Sequence, residues 1–81
     1  MQVTVRLHAQ AGDLAGTGDT SVRIDGAATC GDVKRALVAR HPELEGLAAV
    51  SALASDREYL ADGAPLEDRT ELHLIPPVSG G

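Results

Sequence analysis

The residues best suited to chemistry in this sequence are the last six, Pro76-Pro77-Val78-Ser79-Gly80-Gly81. Gly80 and Gly81 have no side chains, so the terminal carboxylate of Gly81 can pass through a narrow channel into the active site of another protein. Each proline lacks an N–H and fixes φ, which ends a strand at this point. Six extended residues reach roughly 20 Å. The pattern predicts an arm that delivers the Gly81 carboxylate.

Four other side chains have reactive or metal-binding groups. Cys30 is the single cysteine and stands at a predicted helix start, where a reactive thiolate is one interpretation and a buried small apolar side chain is the favoured one. His8, His41 and His73 lie in separate predicted elements without short ligand spacing, which predicts no metal site. We expect His8 and His73 to be surface neighbours across the central strands.

The composition limits the kinds of partner. Among 81 residues, 12 are acidic and 7 are Lys or Arg, giving a net charge of −5, and Tyr59 is the single aromatic residue. Binding to a phosphate backbone needs a basic surface, so we expect no nucleic-acid partner. The sequence contains no run of about eighteen apolar residues, which a membrane-spanning helix would need, so we expect no membrane partner. With a lone cysteine and no leader-like start, the sequence predicts a soluble cytoplasmic protein.

The C-terminal third is rich in carboxylates. They either pair with a basic partner surface, which speeds encounter, or form an ordinary solvated face. The residues concerned are Asp56, Glu58, Asp62, Glu67, Asp68 and Glu71.

Periodicity predicts the elements that must position the arm. The predicted strands span 2–8, 20–25, 52–55, 58–60 and 70–75. Apolar residues at intervals of three and four predict a helix that begins near Cys30, is capped by Thr29 and Asp32, and ends before Pro42. Residues 43–47 are interpreted as a loop, and 47–54 is ambiguous between helix and strand.

This order of elements predicts the fold. One amphipathic helix packed across a mixed sheet is a compact arrangement, with the first and last strands as a parallel central pair. The predicted fold class is therefore α+β, of the β-grasp or ubiquitin-like type. Residues 1–75 form the predicted domain around one core, and residues 76–81 form a flexible, extended C-terminal tail.

Four segments resemble the MoaD/ThiS group of ubiquitin-like sulfur carriers, and within it the small subunits of molybdopterin synthase. The most specific is the ending Leu74–Gly81. Leu53–Leu60 is similar to the strand-turn-strand of the family, Pro65-Leu66 with Asp68 to a following turn, and Leu14-Ala15-Gly16 to the region after the first strand. The resemblance spans essentially the whole chain.

The resemblance implies a chemistry for Gly81. A partner adenylating enzyme would use ATP to join the Gly81 carboxylate to AMP, and a sulfur donor system would then convert it to a thiocarboxylate. In molybdopterin synthase the tail would enter the large subunit, and its sulfur would build the dithiolene of molybdopterin for the molybdenum cofactor. The carrier itself would bind no cofactor and would have no catalytic machinery of its own.

Docking contacts and two departures from the family pattern complete the expectations. The residues predicted to bind partners are Leu7, Leu60, Ile75, Pro76, Pro77, Val78, Ser79 and Gly80. Leu60 and Ile75 are expected to point outward from the sheet. Arg57 and Arg69 stand where the family often has turn glycines, which predicts either strain at positive φ or altered turns.

Three alternatives remain open from the sequence. The first is a sulfur carrier for another pathway, such as thiamine or a secondary metabolite. The second is a ubiquitin-like modifier that is joined through Gly81 to lysines. The third is an interaction module with a passive tail. A free-standing enzyme is the least favoured reading, because no nucleophile, base and orienting group recur together.

Overall fold

The structure of the protein is a computed structural model that describes residues 1–77. In chain order its elements are β1 (Gln2–Leu7), α1 (Gln10–Ala15), β2 (Asp19–Arg23), α2 (Cys30–Arg40), a 3-10 turn (Pro42–Leu44), α3 (Glu45–Val50), β3 (Ala52–Ala54), β4 (Tyr59–Leu60) and β5 (Glu71–Ile75). Within residues 1–77, none of the helices is both long and apolar enough to cross a lipid bilayer.

The five strands form one mixed sheet in the order β2-β1-β5-β3-β4. β1 and β5 are parallel neighbours at the centre, and the register pairs Val5 with Leu72 and Leu7 with Leu74. The other three pairings are antiparallel. This arrangement confirms the predicted β-grasp fold, including the parallel pairing of the first and last strands.

The core lies between α2 and one face of the sheet. Val3 and Val5 of β1 and Leu72 and Leu74 of β5 are completely buried, because residues two apart in a strand share a face. The other members of the core cluster are aliphatic side chains and one cysteine: Leu7, Ala11, Val22, Ile24, Cys30, Val33, Leu37, Leu44, Leu53, Leu60 and Leu66. Strand alternation therefore accounts for the core residues of β1 and β5, and the spacing in α2 accounts for Cys30, Val33 and Leu37.

The N-terminus of α2 is held by a capping box and by a loop. The Asp32 carboxylate accepts a hydrogen bond from the Thr29 N–H at 2.8 Å, and the Thr29 hydroxyl accepts one from the Asp32 N–H at 3.3 Å, as predicted. The hydrogen bond from the Thr29 N–H lowers the pKa of the Asp32 carboxyl, and a second one from the Arg35 guanidinium lowers it further. The next two N–H groups, of Cys30 and Gly31, donate to carbonyls of the 61–66 loop.

The segment after α2 differs from its prediction. Residues 43–47 were expected to form a loop, but they belong to the 3-10 turn Pro42–Leu44 and to α3. Pro42 ends α2 and also begins the next turn, where a missing N–H costs nothing. Leu44 and Ala48, four residues apart, are buried on the inner side of this segment. The ambiguity over 47–54 is resolved as helix to Val50 and strand from Ala52.

Of the two alternatives for Arg57 and Arg69, strain at positive φ is wrong and altered turns are correct. Neither has a positive φ, whereas Glu67 does, at 58°. The Arg69 guanidinium donates to the carbonyls of Pro65 and Leu66 at 3.1 and 3.3 Å, which holds this turn from the inside. The turn is thus altered, and its left-handed residue lies two positions before Arg69.

Candidate functional site

The exit of the C-terminal tail is set by β5. The strand ends at Ile75, where it pairs with Ala52 of β3, and Pro76 and Pro77 follow without strand pairing, as the prolines predicted. Pro76 is buried and Pro77 is exposed. Because β5 is central and parallel to β1, the exit lies at the sheet end where β1 also finishes. The predicted site residues Val78, Ser79, Gly80 and Gly81 lie outside the described residues.

The open face of the sheet surrounds this exit. It is the face that carries no helix, and the strand registers place on it Asp19, Ser21, Arg23, Gln2, Thr4, Arg6, Glu71, His73, Ile75, Ala52, Ala54 and Tyr59. Its apolar members group around β3, β4 and the end of β5. This group is the surface available for an apolar contact beside the tail.

Two predicted docking residues lie on the wrong face for that role. Leu60 was expected to point outward, but it is only 8% exposed, because it pairs with the buried Leu53 and shares its face. Leu7 is 6% exposed and follows Val3 and Val5 into the core. Ile75 is half-buried on the open face.

Tyr59 is the surface residue that the sequence reasoning missed. It is 72% exposed and pairs with Ala54 on the open face. The signal was available in principle, since residues next to each other in a strand point to opposite faces, and Leu60 is apolar. On the open face, Tyr59 therefore joins the predicted residue Ile75 as an apolar side chain, whereas Leu60 and Leu7 belong to the core.

Histidines and charges occupy the other half of the open face. His8 Nε2 lies 2.9 Å from His73 Nδ1, so the predicted neighbours are in direct contact. His73 Nε2 lies 3.0 Å from Asp56 Oδ1. Next to them, Arg6 forms ion pairs with Asp19 at 3.1 Å and Glu71 at 3.0 Å. The histidine contacts with Asp56 and the ion pairs of Arg6 each join one strand to another element, so contacts between elements order the polar half of the face.

The acidic residues do not form one uniform face. Five of them line an open groove at the end of the sheet where β3 ends and β5 begins, together with two arginines: Asp56, Glu58, Glu67, Asp68, Glu71, Arg57 and Arg69. Arg69 pairs with Glu67 at 3.1 Å and Glu58 at 3.6 Å. Asp62 instead pairs with Lys34 near the start of α2. The groove is therefore partly neutralised, and both interpretations of the acidic stretch stay open.

Cys30 is a core residue. Its side chain is completely buried, as the favoured interpretation predicted. Burial raises the pKa of the Cys30 thiol, against a smaller lowering by Arg69 and with a further small increase from Asp62. A raised pKa and no exposure make a reactive thiolate unfavourable.

The fold and the exit define a class of protein: a ubiquitin-like β-grasp domain whose central last strand leads into a C-terminal Gly-Gly sequence. The model of the ThiS family matches residues 5–81, and the chain belongs to this family.

Two curated relatives and one solved structure illustrate the similarity. The chain is 35% identical to the molybdopterin synthase sulfur carrier subunit of Arabidopsis thaliana over 81 residues, covering 100% of this chain and 84% of that protein. It is 39% identical to small archaeal modifier protein 1 of Haloferax volcanii over 89 residues, covering 94% and 97% of the two chains. The crystal structure of SAMP1 from Haloferax volcanii matches with a TM-score of 0.88 at 34% identity, covering 100% of both chains.

Proposed function

We propose that this protein is the sulfur carrier subunit of a molybdopterin synthase, and that Gly81 carries the sulfur as a terminal thiocarboxylate. One observation carries the proposal: the family match extends to residue 81, so that it includes the Gly80-Gly81 ending as well as the β-grasp domain. The full-length similarity to a relative named as such a subunit supports the pathway.

The chemistry divides between this chain and its partners. An adenylating enzyme joins the Gly81 carboxylate to AMP from ATP, and a sulfur donor system then replaces AMP with sulfur. The large subunit of the synthase receives the tail, where the thiocarboxylate sulfur attacks the pterin precursor. Activation and ATP binding belong to the partners, so this chain needs only a terminus that reaches them and a surface on which they dock.

The domain contributes position. Residues 1–75 form the platform and residues 76–81 the tail. Pro76 and Pro77 have no N–H to offer to a neighbouring strand, so the chain leaves the sheet after Ile75. Tyr59 and Ile75 provide apolar contact on this side of the domain, and the carboxylates at the other end of the sheet, where β5 begins, favour a partner with a basic surface.

The cell compartment is part of the proposal. We place the protein in the cytoplasm, because a buried, unpaired Cys30 and a core without disulfides suit a reducing environment.

Mass spectrometry of the intact protein tests this function. The chain is incubated with its adenylating enzyme, ATP and a sulfur donor, and we expect one oxygen of Gly81 to be exchanged for sulfur. A chain that lacks Gly81 is the matched control and gains no sulfur. If the native chain keeps its carboxylate after the enzyme has consumed ATP with it, the sulfur carrier function is wrong. Co-purification with the large subunit of molybdopterin synthase then distinguishes this pathway from thiamine or secondary-metabolite synthesis.

A second candidate function is protein modification, which the similarity to small archaeal modifier protein 1 specifically favours. In this function a lysine amine, instead of a sulfur donor, attacks the adenylated carboxyl group of Gly81. An amide bond forms and AMP is released. Immunoblots of cells that produce the chain would then show a ladder of larger adducts. Deleting Gly80-Gly81 removes the ladder if the adducts form through the tail.

A further inference from the structure

Two histidines from distant parts of the chain meet on the open face of the sheet. His8 follows directly after β1 and His73 lies in β5, and the parallel register of these strands brings them together across 65 residues of sequence. The rings are tilted by 32° with centroids 5.1 Å apart, and His8 Nε2 lies 2.9 Å from His73 Nδ1.

Asp56 determines which nitrogen of His73 carries the proton of the neutral ring. Its carboxylate, in the turn between β3 and β4, lies 3.0 Å from His73 Nε2. A carboxylate only accepts hydrogen bonds, so the proton of the neutral imidazole is held on Nε2. Nδ1 then accepts the hydrogen bond of His8 Nε2–H, and an ion bound between these two nitrogens takes the place of that proton, which His8 carries on Nδ1 instead. Histidines that bind metals characteristically donate their second N–H to a carboxylate in this way.

We propose that His8 Nε2 and His73 Nδ1 bind one divalent transition-metal ion, with Asp56 as the outer carboxylate that orients His73. Imidazole nitrogens bind Zn²⁺ at about 2.0–2.1 Å. When the N–Zn–N angle lies between a right angle and the tetrahedral angle, two such nitrogens are about 2.9–3.4 Å apart. The 2.9 Å separation lies at the short end of this range. The site is on the open face, where water completes the coordination.

The surrounding charges permit a cation here. Arg6 is the register partner of His73, but its guanidinium is paired with both Asp19 and Glu71. Asp56 adds a further negative charge next to His73. The ion therefore meets a net negative local charge.

A different ligand set shares His73. Donor atoms of Asp56, Glu71 and His73 all lie within 4.8 Å of one another. We favour the histidine pair because binding at the other set would take Glu71 from Arg6 and displace the hydrogen bond between His73 Nε2 and Asp56. Nitrogen ligands also select Zn²⁺, Ni²⁺ or Cu²⁺, whereas carboxylates favour Mg²⁺, Ca²⁺ or Mn²⁺.

Calorimetric titration with ZnCl₂ tests the site on the full chain with no affinity tag left. We expect one ion per chain, and an affinity at least tenfold lower in His8→Ala and in His73→Ala. Asp56→Asn should lose about tenfold or more, as outer carboxylates do. The matched control is His41→Ala, because His41 contacts Thr20 and Glu43, away from the site. Its affinity should equal that of the native chain.

The imidazole NMR signals of the native chain provide a second measurement that does not depend on a variant. Zn²⁺ should shift those of His8 and His73 and leave those of His41 unchanged. Unchanged signals together with no heat of binding would overturn the proposal. Loss of binding in Glu71→Gln with full affinity in His8→Ala would also overturn it, since the ion would then belong to the carboxylate set. Neither the tail nor a partner enters these measurements, so their outcome is independent of the sulfur carrier function.

Discussion

The two faces of the central strands differ completely, although the same two strands form both of them with alternate residues. The covered face of β1 and β5 is aliphatic and buried under α2, and it includes Val3, Val5, Leu72 and Leu74. The open face of the same strands carries Arg6, Glu71 and His73, which contact each other or the neighbouring elements. One register thus fixes both the burial of the core side chains and the placement of the charged and histidine side chains on the open face.

The largest expected effect contrasts adjacent residues of β5. Leu72→Ala should lower the free energy of unfolding by about 2–5 kcal/mol, because it removes a completely buried side chain and leaves a cavity. Glu71→Ala, on the open face, should cost less than about 1 kcal/mol, since its ion pair with Arg6 is half-exposed. Urea denaturation followed by circular dichroism measures both. Equal losses would mean that the open face also supports the fold.

The second prediction concerns function, for which we expect a residue of the open face to matter most. Ile75→Ser should lower the rate of thiocarboxylate formation tenfold or more, as expected for an apolar contact at an interface centre. Thr4→Ser, on the same face near the other end of the sheet, should leave that rate unchanged. Rates are followed by intact mass spectrometry at limiting enzyme. A normal rate for Ile75→Ser would exclude the apolar part of the open face from docking.

The third prediction concerns the turn that precedes β5, where two residues differ in φ. Glu67→Gly should keep or raise the free energy of unfolding by up to about 1 kcal/mol, because glycine adopts the positive φ of residue 67 without strain. Arg69→Gly should lower it by about 1 kcal/mol, because φ is not positive there and the contacts to Pro65 and Leu66 are lost. The opposite ranking in thermal denaturation would restore residue 69 as the strained position.

The smallest expected effect is a pH dependence at the start of α2. The pKa of Asp32 is lowered in the folded state, so its stabilisation is complete above the unfolded pKa of about 3.9 and is lost as the pH falls through the lower folded value. The native chain should therefore melt at a higher temperature than Asp32→Asn at pH 6, and this difference should shrink below about pH 4. A constant difference between pH 6 and pH 2.5 would contradict the capping role of the ionised carboxylate.

Several parts of the structure were predictable because local patterns determine them. The alternation of β1 and β5 predicted the faces of Val3, Val5, Leu72 and Leu74, and the capping box predicted the start of α2. Other parts depended on tertiary contacts. Alternation places Leu60 and Tyr59 on opposite faces, but β4 has only two residues, and the pairing of Leu60 with the buried Leu53 determines that Leu60 is the inner one. The position of the left-handed residue at Glu67 follows from how Arg69 reaches back into the turn.

Part of the candidate site was also beyond sequence reasoning. The exit from the sheet after Ile75 was readable from Pro76 and Pro77, because these residues restrict the backbone by themselves. The adjacency of His8 and His73 follows once β1 and β5 are paired, but their direct contact and the hydrogen bond to Asp56 require the actual register and the β3–β4 turn. Ligand spacing along the sequence gives no indication of such a cluster.

The central position of β5 has a consequence for how the protein is made. The strand that joins β1 to β3 comes from residues 71–75, after every other element has been synthesised. In a nascent chain, β1 and β3 therefore have no strand between them until residues 71–75 have been made, and the β1–β5 pairing is the last to close. Incomplete translation products that stop before β5 lack the platform altogether. Only a chain that contains residues 71–75, and therefore reaches the exit at Pro76, can complete the sheet.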